Sequence, residues 1–247
     1  MQFGLIGYPL SHSFSYGYFG KKFADLGLSE THSYQNFPLA NIAAFPALLN
    51  ENPALRGLNV TIPYKEAVIP YLDELSPGAA AIGAVNTILF EDGRLIGYNT
   101  DVIGFRDSLE AFLARSGDPA AGALVLGTGG AAKAVAWVLE QMQIAYHYVS
   151  RRKSAGNLTY EELDEALLKR LDLIVNTTPL GMSPNVSTCP DIPYNALSSQ
   201  HRLYDLVYNP EVTLFLEKGL KQGAAAENGL AMLHGQAEAS WRIWTKS

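Results

Sequence analysis

The run of apolar and small residues from Ala123 to Leu126 opens directly into three glycines and then into a helix-like stretch, so that positions 125–135 read VLGTGGAAKAV. A buried strand that enters a glycine-rich turn at a helix N-terminus is a recurring way to hold a pyrophosphate. Bare backbone N–H groups approach the phosphates there, and the helix end adds partial positive charge. Gly127, Gly129 and Ala132 stand at the spacing of a G-x-G-x-x-(G/A) fingerprint, with Thr128, Gly130 and Ala131 completing the turn. Such turns also arise for purely structural reasons, so the motif needs support from the rest of the chain.

That support begins with the alternation of strand and helix patterns. Before the turn, strands are expected at Phe3–Gly7, His32–Phe37 and Leu58–Ile62. Helices are expected over Gly17–Leu26, over Leu39–Asn50 with a break at Pro46, and over Tyr64–Leu75 with a bend at Pro70. Val85–Phe90 and Arg94–Tyr98 flank Asp92-Gly93, a hairpin signal. A helix with Val102, Phe105, Leu109 and Phe112 on one face then leads into the glycine-rich strand. Beyond the turn the pattern predicts a strand at Ala145–Val149, a helix at Tyr160–Arg170 and a strand at Leu171–Asn176. A long loop (178–200) follows, then a strand at Leu203–Val207, a helix at Glu211–Gln222 and a short strand at Ala224–Glu227. A last helix from Leu230 places Leu230, Leu233, Ala237, Trp241 and Trp244 together. The fold class is therefore α/β, with two sheets of parallel strands on either side of about residue 101.

Composition removes several functional classes. A net charge of −6 with no offsetting Lys/Arg cluster argues against nucleic acid, and no apolar run reaches membrane-spanning length. A single cysteine, Cys189, excludes an internal disulfide and suggests a reducing compartment; together with the absence of a signal-peptide pattern it points to the cytoplasm. The five histidines and Cys189 show no paired ligand spacing, so no metal site is expected. No G-x-S-x-G elbow occurs.

Four polar clusters stand out. Ser11 and Ser13 could bond one carboxylate, although turn-forming serines would look the same. Asn59 and Thr61 would share one strand face, which suits a polar cleft, with Lys65 just past the strand end where α/β ligand sites gather. Asn86-Thr87 is followed by Asn99-Thr100-Asp101, where Asp101 or Thr100 could equally cap the next helix. Gln236 lies in the last helix, where a solvated position is the ordinary reading.

Taken together, the segments are more specific than any one of them. GYPLSHSFS (7–15), NVTIPYK (59–65), GAVNT (83–87), GYNTD (97–101), GTGGAAK (127–133), YNP (208–210) and GLAMLHGQ (229–236) follow the order and approximate spacing of the shikimate dehydrogenase family, which the chain resembles over nearly its full length. The resemblance implies an N-terminal substrate domain, 1–101 plus 230–247, and a Rossmann-type NADP domain, 102–229, with a cleft between them. It also implies that the last helix packs back on the first domain. The activity implied is NADP-dependent reduction of 3-dehydroshikimate to shikimate, by a monomer or homodimer. Lys65 and Asp101 match the catalytic pair. Ser11, Ser13, Thr61, Asn86, Tyr208 and Gln236 match substrate positions, and Gly127, Thr128, Gly129, Gly130, Ala131, Ser150, Arg151, Arg152, Leu206 and Gly229 match cofactor positions.

Cofactor choice has its own signal. An NAD site usually offers Asp or Glu to the ribose 2′-OH about 20 residues after the fingerprint. Here the strand ends in Ser150-Arg151-Arg152-Lys153 without a carboxylate, so NADP is expected, with Arg151 gripping the 2′-phosphate and Arg152 or Lys153 assisting. A relative with quinate or NAD activity, and a non-catalytic NADP-binding protein, are the alternatives. The chain departs from the family at Tyr16, Asn228 and Ala231. Its span from 151 to 171 is also short, with room expected for one helix and no further strand, leaving the adenine side open.

Overall fold

The computed structural model describes residues 1–10, 13–117 and 120–246. The chain divides into two compact units, 1–103 with 236–247, and 104–235.

The first unit contains strands β1 (Gln2–Gly7), β2 (Ser33–Pro38), β3 (Leu55–Val60), β4 (Glu74–Leu75), β5 (Thr87–Glu91) and β6 (Arg94–Tyr98). They form one sheet in the order β2-β1-β3-β5-β6-β4. β1 runs parallel to both β2 and β3, while the β5–β6 hairpin adds the antiparallel part of the sheet. Helices α1 (Phe14–Asp25), α2 (Phe45–Glu51), α3 (Tyr64–Ala67) and α4 (Pro77–Ile82) connect the strands.

Side-chain alternation along β1 divides the core between two faces. Phe3 and Leu5 pack with Phe19, Phe23, Tyr34, Ala237 and Trp244. Ile6 packs with Phe45, Leu48, Leu58, Tyr64, Val68 and Val85. The last helix, Leu230–Thr245, is held by Trp244. Its indole stacks on Phe3 at 4.7 Å between centroids and donates Nε1–H to Ile88 O at 3.0 Å. The ring lies so close over Gly57 that no Cβ would fit there.

Three local expectations change. α1 starts at Phe14 rather than Gly17, because the Ser13 side chain caps it by accepting from Tyr16 N at 3.2 Å. The stretch 64–75 is not one helix but the single turn of α3, a 3₁₀ turn at Ile69–Tyr71 and strand β4. Pro70 has no N–H to continue an α-helical ladder. β3 ends at Val60, one residue before Thr61, so Asn59 and Thr61 do not form one strand face.

The second unit begins within α5 (Thr100–Ser116) and holds β7 (Ala123–Leu126), α6 (Gly130–Gln141), β8 (Tyr146–Ser150), β9 (Asn157–Thr159), α7 (Glu165–Leu168), β10 (Leu173–Asn176), β11 (Arg202–Asp205), α8 (Leu214–Lys221) and β12 (Ala225–Glu227). All six strands are parallel, in the order β12-β11-β10-β7-β8-β9. Every residue of β7 and of β10 is buried, which is why β7 and the first three residues of β10 read as continuous apolar runs. The strand order reverses between β7 and β10. In a doubly wound sheet the carboxyl ends at that point form the ligand crevice.

The short 151–171 span does contain a strand. β9 pairs with β8 from Tyr148↔Asn157 to Ser150↔Thr159. Asn157 makes the tight approach possible, accepting from Ser154 N at 2.6 Å and donating to Arg152 O at 3.0 Å. What is shortened is the helix: the expected Tyr160–Arg170 reduces to a 3₁₀ turn at Tyr160–Glu162 and the single turn of α7.

Candidate active site

In the first unit the two candidate catalytic groups meet. Lys65, in the turn that follows β3, places Nζ 2.7 Å from Asp101 Oδ2 at the start of α5, and their side chains are 34% and 25% exposed. Neither Asp101 nor Thr100 is spent on capping α5. Asp101 N donates to Asn99 Oδ1 at 3.2 Å and Thr100 N donates to Asn86 Oδ1 at 2.6 Å, so two asparagines do that work and leave the Asp101 carboxylate for the lysine.

Asn86 is almost fully buried. Its Oδ1 also accepts from the hydroxyls of Thr100, at 3.1 Å, and Thr87, at 3.2 Å, whereas its Nδ2 donates to no described residue. Behind it lies a buried polar cluster that the sequence reading missed. Asn59 Nδ2 reaches Ser240 Oγ at 3.0 Å and Thr87 Oγ1 at 3.1 Å, and Asn59 Oδ1 accepts from Tyr34 OH at 2.8 Å. Ser240 Oγ in turn lies 2.8 Å from Thr87 Oγ1 and 3.3 Å from Thr100 Oγ1. Asn59 therefore faces the interior rather than a polar cleft. A buried polar set of this kind is stable only when each member is satisfied, and a satisfied set fixes geometry.

The other candidate substrate positions divide. Thr61 packs its methyl against Gly7. Gln236 is half-buried, one turn before Ser240 in the last helix, and its carbonyl accepts from Ser240 Oγ at 3.0 Å. Ser13 caps α1, its Oγ accepting from Tyr16 N. Ser11 lies outside the described residues. Tyr208 belongs to the second unit and is 45% exposed.

In the second unit a cavity of about 570 Å³ opens at the carboxyl ends of β7, β8 and β10. Gly127, Thr128, Gly129, Ser150 and Arg151 line it, joined by Tyr160, Glu161, Thr177, Thr178, Cys189 and Asp191 among others. Gly127 has φ +112° and would bring a Cβ 2.7 Å from Thr177 Oγ1, so only glycine suits both the backbone and the space. Gly129 caps α6 without a side-chain acceptor, and open space surrounds Gly129 and Gly130. Four N–H groups at that helix end are thus offered to an anion. Gly130 and Ala131 continue into the exposed first turn of α6. The cradle fits a dinucleotide pyrophosphate.

Arg151 is exposed on the cavity wall and forms no ion pair with any described residue. Ser150 is part of a local turn, exchanging hydrogen bonds with Arg152 N (3.2 Å) and Arg152 O (3.0 Å). Arg152 does not line the cavity, and Lys153 is drawn to Glu162 at 2.7 Å. Leu206 and Gly229 pack backbone against backbone, Gly229 N donating to Val207 O at 3.2 Å, and neither lines the cavity. Asn228 does what an aspartate there would do, accepting from Leu230 N at 3.0 Å at the start of the last helix.

The sequence offered no carboxylate beside Arg151 because the two that line the cavity, Glu161 and Asp191, are 10 and 40 residues further along the chain. Tyr160 and Glu161 follow β9 directly, and they close the side that the short span had suggested would be open. Thr177 and Thr178 stand at the carboxyl end of β10, and that position alone could have marked them.

A parallel sheet with a glycine turn at its switch point, together with a unit carrying a partly exposed lysine–carboxylate pair, defines a dinucleotide-binding α/β oxidoreductase. The family model for the shikimate dehydrogenase substrate binding domain matches residues 5–88. A shikimate dehydrogenase (NADP(+)) of Desulforamulus reducens is 39% identical over 98% of this chain and 89% of its own length. The structure of shikimate 5-dehydrogenase from Thermus thermophilus in complex with NADP(H) and shikimate is 34% identical, covering all of this chain and 94% of that one with a TM-score of 0.84. That of shikimate 5-dehydrogenase from Listeria monocytogenes, in complex with shikimate and NAD, is 28% identical with a TM-score of 0.83, covering all of this chain and 92% of that one. The chain belongs to the shikimate dehydrogenase family.

Proposed function

We propose that the protein catalyses the reversible, NADP-dependent reduction of 3-dehydroshikimate to shikimate. The observation that carries this reading is the Lys65–Asp101 pair, held at 2.7 Å within a chain whose relatives carry that activity in their names. NADPH supplies the hydride when bound. Hydride arriving at a ketone carbon leaves an alkoxide, and the Lys65 ammonium is the group that gives it a proton. Asp101 holds the lysine at 2.7 Å and accepts from the reacting hydroxyl. Asn86, with its carbonyl engaged by Thr87 and Thr100, has its amide NH₂ to offer a substrate hydroxyl. Ser11, Ser13, Thr61, Tyr208 and Gln236 complete the proposed substrate set.

On the cofactor side, Gly127 to Ala131 would receive the pyrophosphate and Arg151 the 2′-phosphate, with Ser150, Arg152, Leu206 and Gly229 around them. In this reading residues 1–101 with 230–247 serve the substrate and 102–229 the cofactor. A net charge of −6 supports the absence of nucleic-acid partners and a single cysteine supports a cytoplasmic location; the proposed state is a monomer or homodimer without a membrane partner.

A second reading, use of NAD as well as NADP, is favoured by one observation: Glu161 and Asp191 share the cavity with Arg151. Nicotinamide absorbance with shikimate or quinate, and with NADP or NAD, tests both. Turnover of shikimate with NADP alone supports the first reading, turnover with NAD or quinate moves the protein to the broader one, and no turnover in any combination overturns both.

A further inference from the structure

Asn176 and Asp205 are register partners at the carboxyl ends of the adjacent strands β10 and β11, and both are fully buried. In a parallel pair such partners project to the same side, and here they bond directly, Asn176 Nδ2 donating to Asp205 Oδ1 at 2.9 Å. The carboxylate also accepts from Val207 N at 3.0 Å and from Thr213 Oγ1 at 2.5 Å. On its other side Asn176 Oδ1 accepts from Thr178 N at 3.0 Å and Thr178 Oγ1 at 2.7 Å, and Thr178 Oγ1 accepts from Leu180 N at 3.3 Å. Thr177, Thr178, Pro179 and Leu180 all line the cavity at the glycine turn, and Thr177 Oγ1 donates to Leu126 O at 2.6 Å beside Gly127.

A buried carboxylate is a costly way to join two strand ends that an apolar pair would join as well. What it provides is polarity, to which Leu180 O adds more weakly by accepting from the same Asn176 Nδ2 at 3.4 Å. An ionised carboxylate only accepts, so it compels Asn176 to turn its NH₂ inward and its carbonyl toward Thr178. An amide free to flip would present NH₂ to the Thr178 N–H instead, and the loop would lose its anchor.

We propose that Asp205, acting through the amide of Asn176, is a positioning residue that sets the 177–180 wall of the cofactor cavity and thereby the affinity for NADP. The inference rests on the assignment of that cavity to NADP. It predicts that polarity matters and identity does not. Asn176→Asp sets two carboxylates face to face. Combined with Asp205→Asn, the new carboxylate at position 176 still accepts from Thr178 and the new amide at 205 donates to it, giving up only the bond from Val207 N, which an NH₂ cannot accept.

The test is the dissociation constant for NADP from protein fluorescence, with shikimate affinity measured alongside and folding checked by circular dichroism. The single variant should bind NADP about tenfold or more weakly, and the double variant should return to within about threefold of the native protein. Shikimate affinity should not move in either. Where Asn176→Asp does not fold, Asn176→Ala removes the relay without adding charge and carries the same expectation. A folded single variant that binds NADP like the native protein overturns the inference, as does a folded double variant that binds as poorly as the single. Failure of the native protein to bind NADP at all overturns the cofactor assignment itself, and the inference with it.

Discussion

Lys65 Nζ lies 2.7 Å from Asp101 Oδ2, although the two residues come from separate turns 36 positions apart. The pair is half-exposed, so its Coulombic attraction is screened and contributes little to stability. Its proposed use is chemical. Lys65→Met should lower kcat by about 10²–10⁴, the range for loss of a positioned proton donor, and leave KM for NADP nearly unchanged. Stopped-flow turnover with shikimate and NADP checks this. A Lys65→Met enzyme turning over at the native rate would remove Lys65 from the reaction.

The glycine turn, the hairpin and the order of elements were legible in the sequence because each rests on a local rule: a positive φ at Gly127, Asp92-Gly93 between two apolar strands, and period-3.6 stripes. What was not legible depends on which distant residues share a wall. Asn59 looked like a cleft residue, yet its partners Ser240 and Tyr34 come from the last helix and from β2, and no spacing rule connects them. The carboxylates near Arg151 escaped for the same reason: β9 and the loop after β10 fold Glu161 and Asp191 into the cavity. Propensity also gave way to local chemistry, as when Ser13 drew the start of α1 three residues earlier than Gly17.

Arg151 stands on the cavity wall with no ion pair among the described residues, while Lys153 is committed to Glu162. On the proposed reading one guanidinium carries most of the recognition of a 2′-phosphate. Arg151→Ala should raise KM for NADP about 10- to 100-fold, as expected for loss of a charge-assisted hydrogen bond, and change KM for NAD little. Initial rates with the two cofactors decide it. An equal rise for both would place the 2′-phosphate elsewhere.

Glu161 is the counterweight. Its exposed carboxylate is held in the charged form, with its pKa below the ordinary value because its own backbone N–H and Thr159 donate to it. With the cofactor placed as proposed, it would repel a 2′-phosphate and accept from a 2′-OH. Glu161→Gln should thus lower KM for NADP and raise that for NAD, and the effect should shrink as salt screens the charge. The measured quantity is the ratio of kcat/KM for the two cofactors at low and high ionic strength. If the two Michaelis constants move in the same direction, Glu161 does not discriminate between them.

Asp205 ties stability to pH. Burial pushes its pKa up from 3.8 to about 6, against the lowering effect of Thr213, Val207 and Asn176. The folded protein therefore binds this proton more tightly than the unfolded chain does. The stabilisation is complete below about pH 4 and is lost as pH rises through 6, a swing of roughly 3 kcal/mol. Exposed carboxylates with lowered pKa values, such as Glu162 and Glu217, work in the opposite sense, so the whole-protein curve mixes the two. Comparison with Asp205→Asn isolates the group. In that variant the amide carbonyl can keep the bonds from Asn176 and Val207 while its NH₂ turns to Thr213. Urea unfolding at pH 4.5 and pH 7 should show the native protein gaining on the variant at the lower pH. A difference that stays constant between the two pH values would mean that Asp205 carries its ordinary pKa in the folded state.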